Sequence, residues 1–190
     1  MMKQSVLTIL LVTLCCSAFG RGDINYQHKA IQKTLVKSCK LINPQVSEIT
    51  LPQEITSDLQ GKFFSVKSDN ADSDIKHMYI GRVNSCRAGG CSMPNTLSQG
   101  SDSEYFDYLV LFNAQNEVVL VKVFNYQATH GHEVTAKGWL KQFVGYDTSE
   151  KDLEVGKNID SISGATISVN GITQDISDKT RIINEYLSQS

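Results

Sequence analysis

Seven residues near the C-terminal end, Asp160-Ser161-Ile162-Ser163-Gly164-Ala165-Thr166, set a carboxylate, hydroxyls and two minimal side chains just before a predicted helix. Gly164 and Ala165 have no bulk to hold a ligand off the backbone, and a helix start supplies unpaired N–H groups and a positive dipole end. Such a segment suits phosphate capture, with the Thr166 hydroxyl beside the anion. It also suits a plain turn followed by an N-cap, which Ser and Thr favour. A second group lies upstream, where Gly131-His132-Glu133 precedes Trp139 and Phe143. The two rings are four residues apart and share a helix face; core packing is their ordinary use, with a ring edging a ligand as the other. Glu133 is either a solvated loop charge or a ligand contact. His130 and His132 alternate on what reads as an extended segment and would point the same way. Cys86 and Cys91 would complete a four-ligand zinc set with them, but nothing in the sequence fixes that proximity and no metal site is assigned.

The pattern Asp-x-x-Ser-Gly-Ala-Thr resembles the covalent flavinylation motif of the FMN-binding domain family, known from the G subunit of the Rnf electron-transport complex and the C subunit of the sodium-translocating NADH:quinone reductase. The resemblance implies FMN as cofactor, joined through a phosphoester to Thr166. It also implies that Ser163, Gly164 and Ala165 shape the phosphate turn, and that Asp160 belongs to the signal read by a flavin transferase that uses FAD. The stretch from Gly131 to Phe143 resembles the loop and short Trp-Leu-x-Gln-Phe helix of exported members, which places Glu133 and Trp139 near the cofactor. The likeness is strongest over 105–190. One departure is Glu133-Val134-Thr135-Ala136, where respiratory-complex members carry a Glu-Thr-Pro-Gly type sequence. The implied function is an exported electron carrier, with the flavin transferase and redox partner proteins, membrane-associated ones included, as partners. A secreted flavin-dependent reductase and a cofactor-free structural domain are the alternatives.

These residues need elements to position them. Ile24 to Leu41 has helical periodicity, ended by Asn43-Pro44. Ser47 to Leu51 reads as extended, Pro52 to Gln60 as a helical turn, and Lys62 to Lys67 and Ile75 to Val83 as strands. Asn84 to Glu104 is a polar loop longer than normal connections. Tyr105 to Phe112 and Glu117 to Asn125 form a hairpin around Asn113-Ala114-Gln115-Asn116. Thr135 to Val144 is a predicted short helix, Tyr146 to Asn158 a connection, and Ser168 to Leu187 the final helix. The predicted fold is a single α+β domain, an antiparallel sheet flanked by helices, over 21–190.

The first twenty residues read as a signal peptide: Lys3, an apolar run from Val6 to Cys16, and the small-x-small exit Ala18-Phe19-Gly20. That run is short of the roughly twenty residues a membrane-spanning helix needs. Export and a mature start at Arg21, in the periplasm or otherwise outside the cytoplasmic membrane, are expected. Without Lys3 the balance is 17 basic against 20 acidic residues, which offers no basic footprint for nucleic acid. Three cysteines then remain. In an oxidising compartment Cys86 and Cys91 could close a small loop through Gly89-Gly90; the alternative is two free thiols.

Overall fold

The computed structural model describes residues 22–56, 59–70, 72–87, 103–149 and 152–188; the side chains at 56, 86, 87, 103, 187 and 188 are not part of that description. The first twenty residues and Cys91 lie outside it, and with them the signal peptide and the Cys86–Cys91 pair. Among the described residues no helix is long and apolar enough to cross a membrane.

Five strands form one antiparallel sheet in sequence order: β1 Gln45–Glu48, β2 Gly61–Lys67, β3 His77–Arg87, β4 Ser103–Phe112 and β5 Val118–Tyr126. Such a sheet with helices on both faces is the predicted α+β arrangement. The strands follow from side-chain type. β4 is an inner strand buried on both faces: Phe106, Tyr108, Val110 and Phe112 point to one layer, Asp107, Leu109 and Leu111 to the other. The β4–β5 turn is set by Asn113, whose side-chain oxygen accepts from the N–H of Gln115 and of Glu117, both at 2.9 Å.

Helix α1, Lys29–Lys33, continues into a wider π-helical turn, Thr34–Ser38, and covers the Leu109 face with Ile31 and Leu35. It is shorter than the predicted span 24–41. The His28 imidazole accepts from the Ala30 N–H and starts the helix there, and the left-handed Lys40 ends the turn that follows. The short helix α2, Gln53–Thr56, precedes β2.

On the opposite face lies the long helix α4, Thr166–Ser188. Val169, Ile172, Ile176 and Ile183 form its buried stripe, each contributing ~1.5–3 kcal/mol of apolar burial. It presses on β3 at Gly171, where a Cβ would stand 2.7 Å from Val83. Its middle is pinned by Asp175, which accepts a hydrogen bond from the buried Tyr108 hydroxyl and pairs with Lys179 at 2.7 Å.

Three sequence expectations are corrected. β3 runs on to Arg87 rather than stopping at Val83, because Asn84 pairs with Tyr105 in the β4 ladder. The predicted helix from Thr135 to Val144 is instead a 3₁₀ turn at His132–Thr135, helix α3 at Lys137–Leu140, and a second 3₁₀ turn at Lys141–Phe143. The extended Ala136 (φ −67°, ψ 125°) breaks the run. His130 and His132 do not share an extended segment, because Gly131 between them is left-handed at φ +82°.

Candidate functional site

Thr166 is the first residue of α4 and its side chain is exposed. The turn before it explains the residue types of the motif. The Ala165 N–H donates to the Ile162 carbonyl at 3.1 Å, closing a four-residue turn over Ile162–Ala165. Its third position is Gly164, at φ +78°, where such a turn favours glycine. Nothing stands within 4 Å of where a Gly164 Cβ would be, so the backbone is open to a ligand on that side. Ala165 has a different reason to be small. It is buried, and the space beside it is filled by Gly131: a Cβ there would lie 3.0 Å from the Ala165 methyl and 3.3 Å from the Ser168 hydroxyl.

The first backbone bond of α4 runs from the Val169 N–H to Ala165 at 2.9 Å. The amides of Thr166, Ile167 and Ser168 are therefore at the open end of the helix, with the positive end of its dipole. Ser163 and Asp160 are exposed. Together these groups fit a phosphate: forward-facing amides, an open glycine and a hydroxyl that can be esterified.

The Gly131 contact brings the two sequence signals side by side. Tyr126, at the end of β5, donates its hydroxyl to the His130 carbonyl and stacks on Phe106, ring centres 5.6 Å apart. The His132 ring meets Tyr126 edge-on at 5.1 Å. Burial raises the Tyr126 phenol above its ordinary value; a hydrogen bond with Ser168 opposes this, and the Glu104 and Glu133 charges add to it. The phenol therefore stays protonated and serves as a donor. Ser168 also shares a 2.7 Å hydrogen bond with Ser85 of β3. The half-exposed Tyr126 ring and the exposed His132 ring thus flank the α4 start and offer a face to a planar ligand.

Glu133 is exposed in the turn after Gly131. Trp139 is half-buried, with its ring edge-on to the fully buried Phe143 at 5.3 Å. Its indole N–H donates to the Asp160 carbonyl at 2.8 Å. Gln142, to which the sequence reading gave no role, accepts from the Asp160 N–H at 2.8 Å and donates to the Trp139 carbonyl at 3.1 Å. Ser168 also joins the site without having been singled out, and Tyr126, read from the sequence as structural, stands beside it. Gln142 carried a signal, since it stands inside the Trp-Leu-x-Gln-Phe segment.

Among the described residues no group of three or more His, Cys, Asp and Glu is arranged to hold a metal. A groove of about 580 Å³ crosses β5 between Thr34, Lys122, Lys137 and Leu140. None of the residues lining it belongs to the 160–166 segment.

Residues 105–178 fit the model of the FMN-binding domain family. That span runs from β4 through the Gly131 loop and α3 to the first half of α4, and holds every residue of the site just described except Ser85 and Glu104. No curated protein matches the chain.

Proposed function

We infer, from residues 105–178 being an FMN-binding domain with FMN as its cofactor, that this chain carries its flavin at the start of α4, through a phosphoester to Thr166. The observation that carries this reading is the exposed Thr166 hydroxyl beside the free first-turn amides and the open Gly164. In forming the bond, Thr166 Oγ attacks the FMN-side phosphorus of FAD, and its proton passes to a base of the flavin transferase. The pyrophosphate P–O bond breaks and AMP leaves. Asp160, exposed at the head of the motif, is the acidic part of the transferase signal.

The chain needs no nucleophile or general base in later turnover. Bound flavin supplies one- and two-electron transfer; the protein holds it by the phosphate, which leaves the ring open to partners. Tyr126 and His132 lie where they can support that ring. Export, supported by the first twenty residues, gives the covalent tether its reason, because a dissociated flavin would be lost outside the cytosol. The role that follows is an exported electron carrier between redox partner proteins.

The test is Thr166→Ala, made alongside the flavin transferase. It removes the esterifiable oxygen at an exposed position, so in-gel flavin fluorescence after denaturation should vanish while the thermal midpoint stays as in the wild type. Thr166→Ser should still be modified. Undiminished fluorescence from Thr166→Ala sinks the assignment.

A further inference from the structure

The Asp160 peptide is gripped from both sides by one short segment. Its N–H donates to Gln142 Oε1 and its carbonyl accepts from Trp139 Nε1, both at 2.8 Å. Gln142 closes the ring by donating its other amide group to the Trp139 carbonyl at 3.1 Å. These contacts span 18 and 21 residues of sequence.

Elsewhere the segment is lightly held. Ser161, Ser163, Gly164 and Thr166 are exposed, and the apolar anchors are Ile159 and Ala165, buried, with Ile162 half-buried. Among its described contacts the Gln142 and Trp139 bonds are the polar ones that tie its acidic end to the rest of the domain. Side-chain hydrogen bonds to a main-chain peptide fix the direction in which the residue's own side chain leaves. Here they set the Asp160 carboxylate outward while Ala165 and Gly131 fix the Thr166 end.

We propose that Gln142 and Trp139 are positioning residues for the modification of Thr166: they hold the Asp160 peptide so that carboxylate and acceptor hydroxyl are presented to the flavin transferase in one geometry. The inference rests on Thr166 being the flavin acceptor. It assigns Trp139 to the backbone of the motif rather than to the flavin ring, and gives Gln142 a function. Preorganisation of this kind acts on the rate of transfer, because the transferase otherwise meets the segment in productive geometry only part of the time.

The experiment compares the full-length chain with Gln142→Met, which nearly keeps side-chain volume and removes both Gln142 hydrogen bonds, and with Trp139→Phe, which keeps an aromatic ring against Phe143 and removes the indole N–H donor. Each is incubated with FAD and flavin transferase, and the initial rate of Thr166 modification is read by peptide mass. The rate should fall roughly three- to tenfold in each, the worth of one hydrogen bond of this kind. The double variant should lose less than the product of the two, because both bonds hold one residue, Asp160. Hydrogen exchange at the Asp160 amide should accelerate in Gln142→Met while exchange in β4 does not, a local change that a general loss of stability cannot give. Gln142→Glu keeps the acceptor for Asp160 and should recover part of the rate. Wild-type transfer rates in both single variants overturn the inference, as does a rate loss that merely tracks exchange across the whole domain. A wild-type chain left unmodified at Thr166 overturns the acceptor assignment itself, and this inference with it.

Discussion

Ala165 and Gly131 are small because of each other. A Cβ on Gly131 would stand only 3.0 Å from the Ala165 methyl, and Gly131 holds a left-handed φ of +82° that costs other residues energy. Gly131→Ala should therefore cost about 1–2 kcal/mol in urea unfolding, and should slow Thr166 modification because the α4 start shifts. A variant as stable as the wild type would show that the loop gives way freely. His77 is a second residue with a measurable signature. It is half-buried, and burial holds its imidazole below the ordinary value, with the Asn116 side chain opposing. The unfolded chain then binds the proton more readily than the folded one between the lowered value and about 6.5, so stability rises with pH across that interval. Acidification from neutral pH through about 6.5 should lower the urea midpoint, and His77→Asn should flatten that slope. An unchanged slope would mean that another group carries the acid sensitivity.

At the scale of elements, α4 is both the floor of the site and the main cover of one sheet face. Tyr108 anchors it: burial first, then the Asp175 charge, raise the phenol well above its ordinary value, so it remains a donor to that carboxylate. Tyr108→Phe should cost about 1.5–3 kcal/mol, as for a hydrogen bond to a charged group, read by urea unfolding followed through Trp139, the single tryptophan. A cost near zero would show that the apolar stripe of α4, and not this bond, holds the helix on the sheet. Legibility in the sequence followed the same division. The β4–β5 hairpin was readable because Val, Leu, Phe and Tyr fill both faces of β4 and Asn113 builds the turn. α4 was readable from its isoleucine spacing. The last residues of β3 were not: Asn84 and Ser85 are polar, and the strand continues there only because Asn84 pairs with Tyr105 and Arg87 with Ser103 across the ladder. The first helix was overread, since Ile24 packs against the sheet without being helical. Within the site the contiguous 160–166 motif could be seen, whereas the Gln142 and Trp139 grip crosses too much sequence for any local pattern to show.

For the molecule as a whole, the proposed function joins FMN binding over residues 105–178 to two further proposals, export and a covalent tether. Compartment and cysteines offer one check. Cys39 is half-buried, and burial raises its thiol above the ordinary value, which slows but does not prevent alkylation of a free thiol. In protein recovered from the exported fraction, alkylation without reduction should label Cys39 alone, with Cys86 and Cys91 joined. Label on all three would remove the disulfide. The central claim, that Thr166 carries FMN, is tested most directly by mass mapping after production with the flavin transferase. Trypsin releases Asn158–Lys179 as one peptide with Thr166 inside it. The account predicts that this peptide gains the mass of FMN less one water, and that fragmentation places the gain on Thr166. An unmodified Asn158–Lys179 peptide from protein that is otherwise yellow would contradict it.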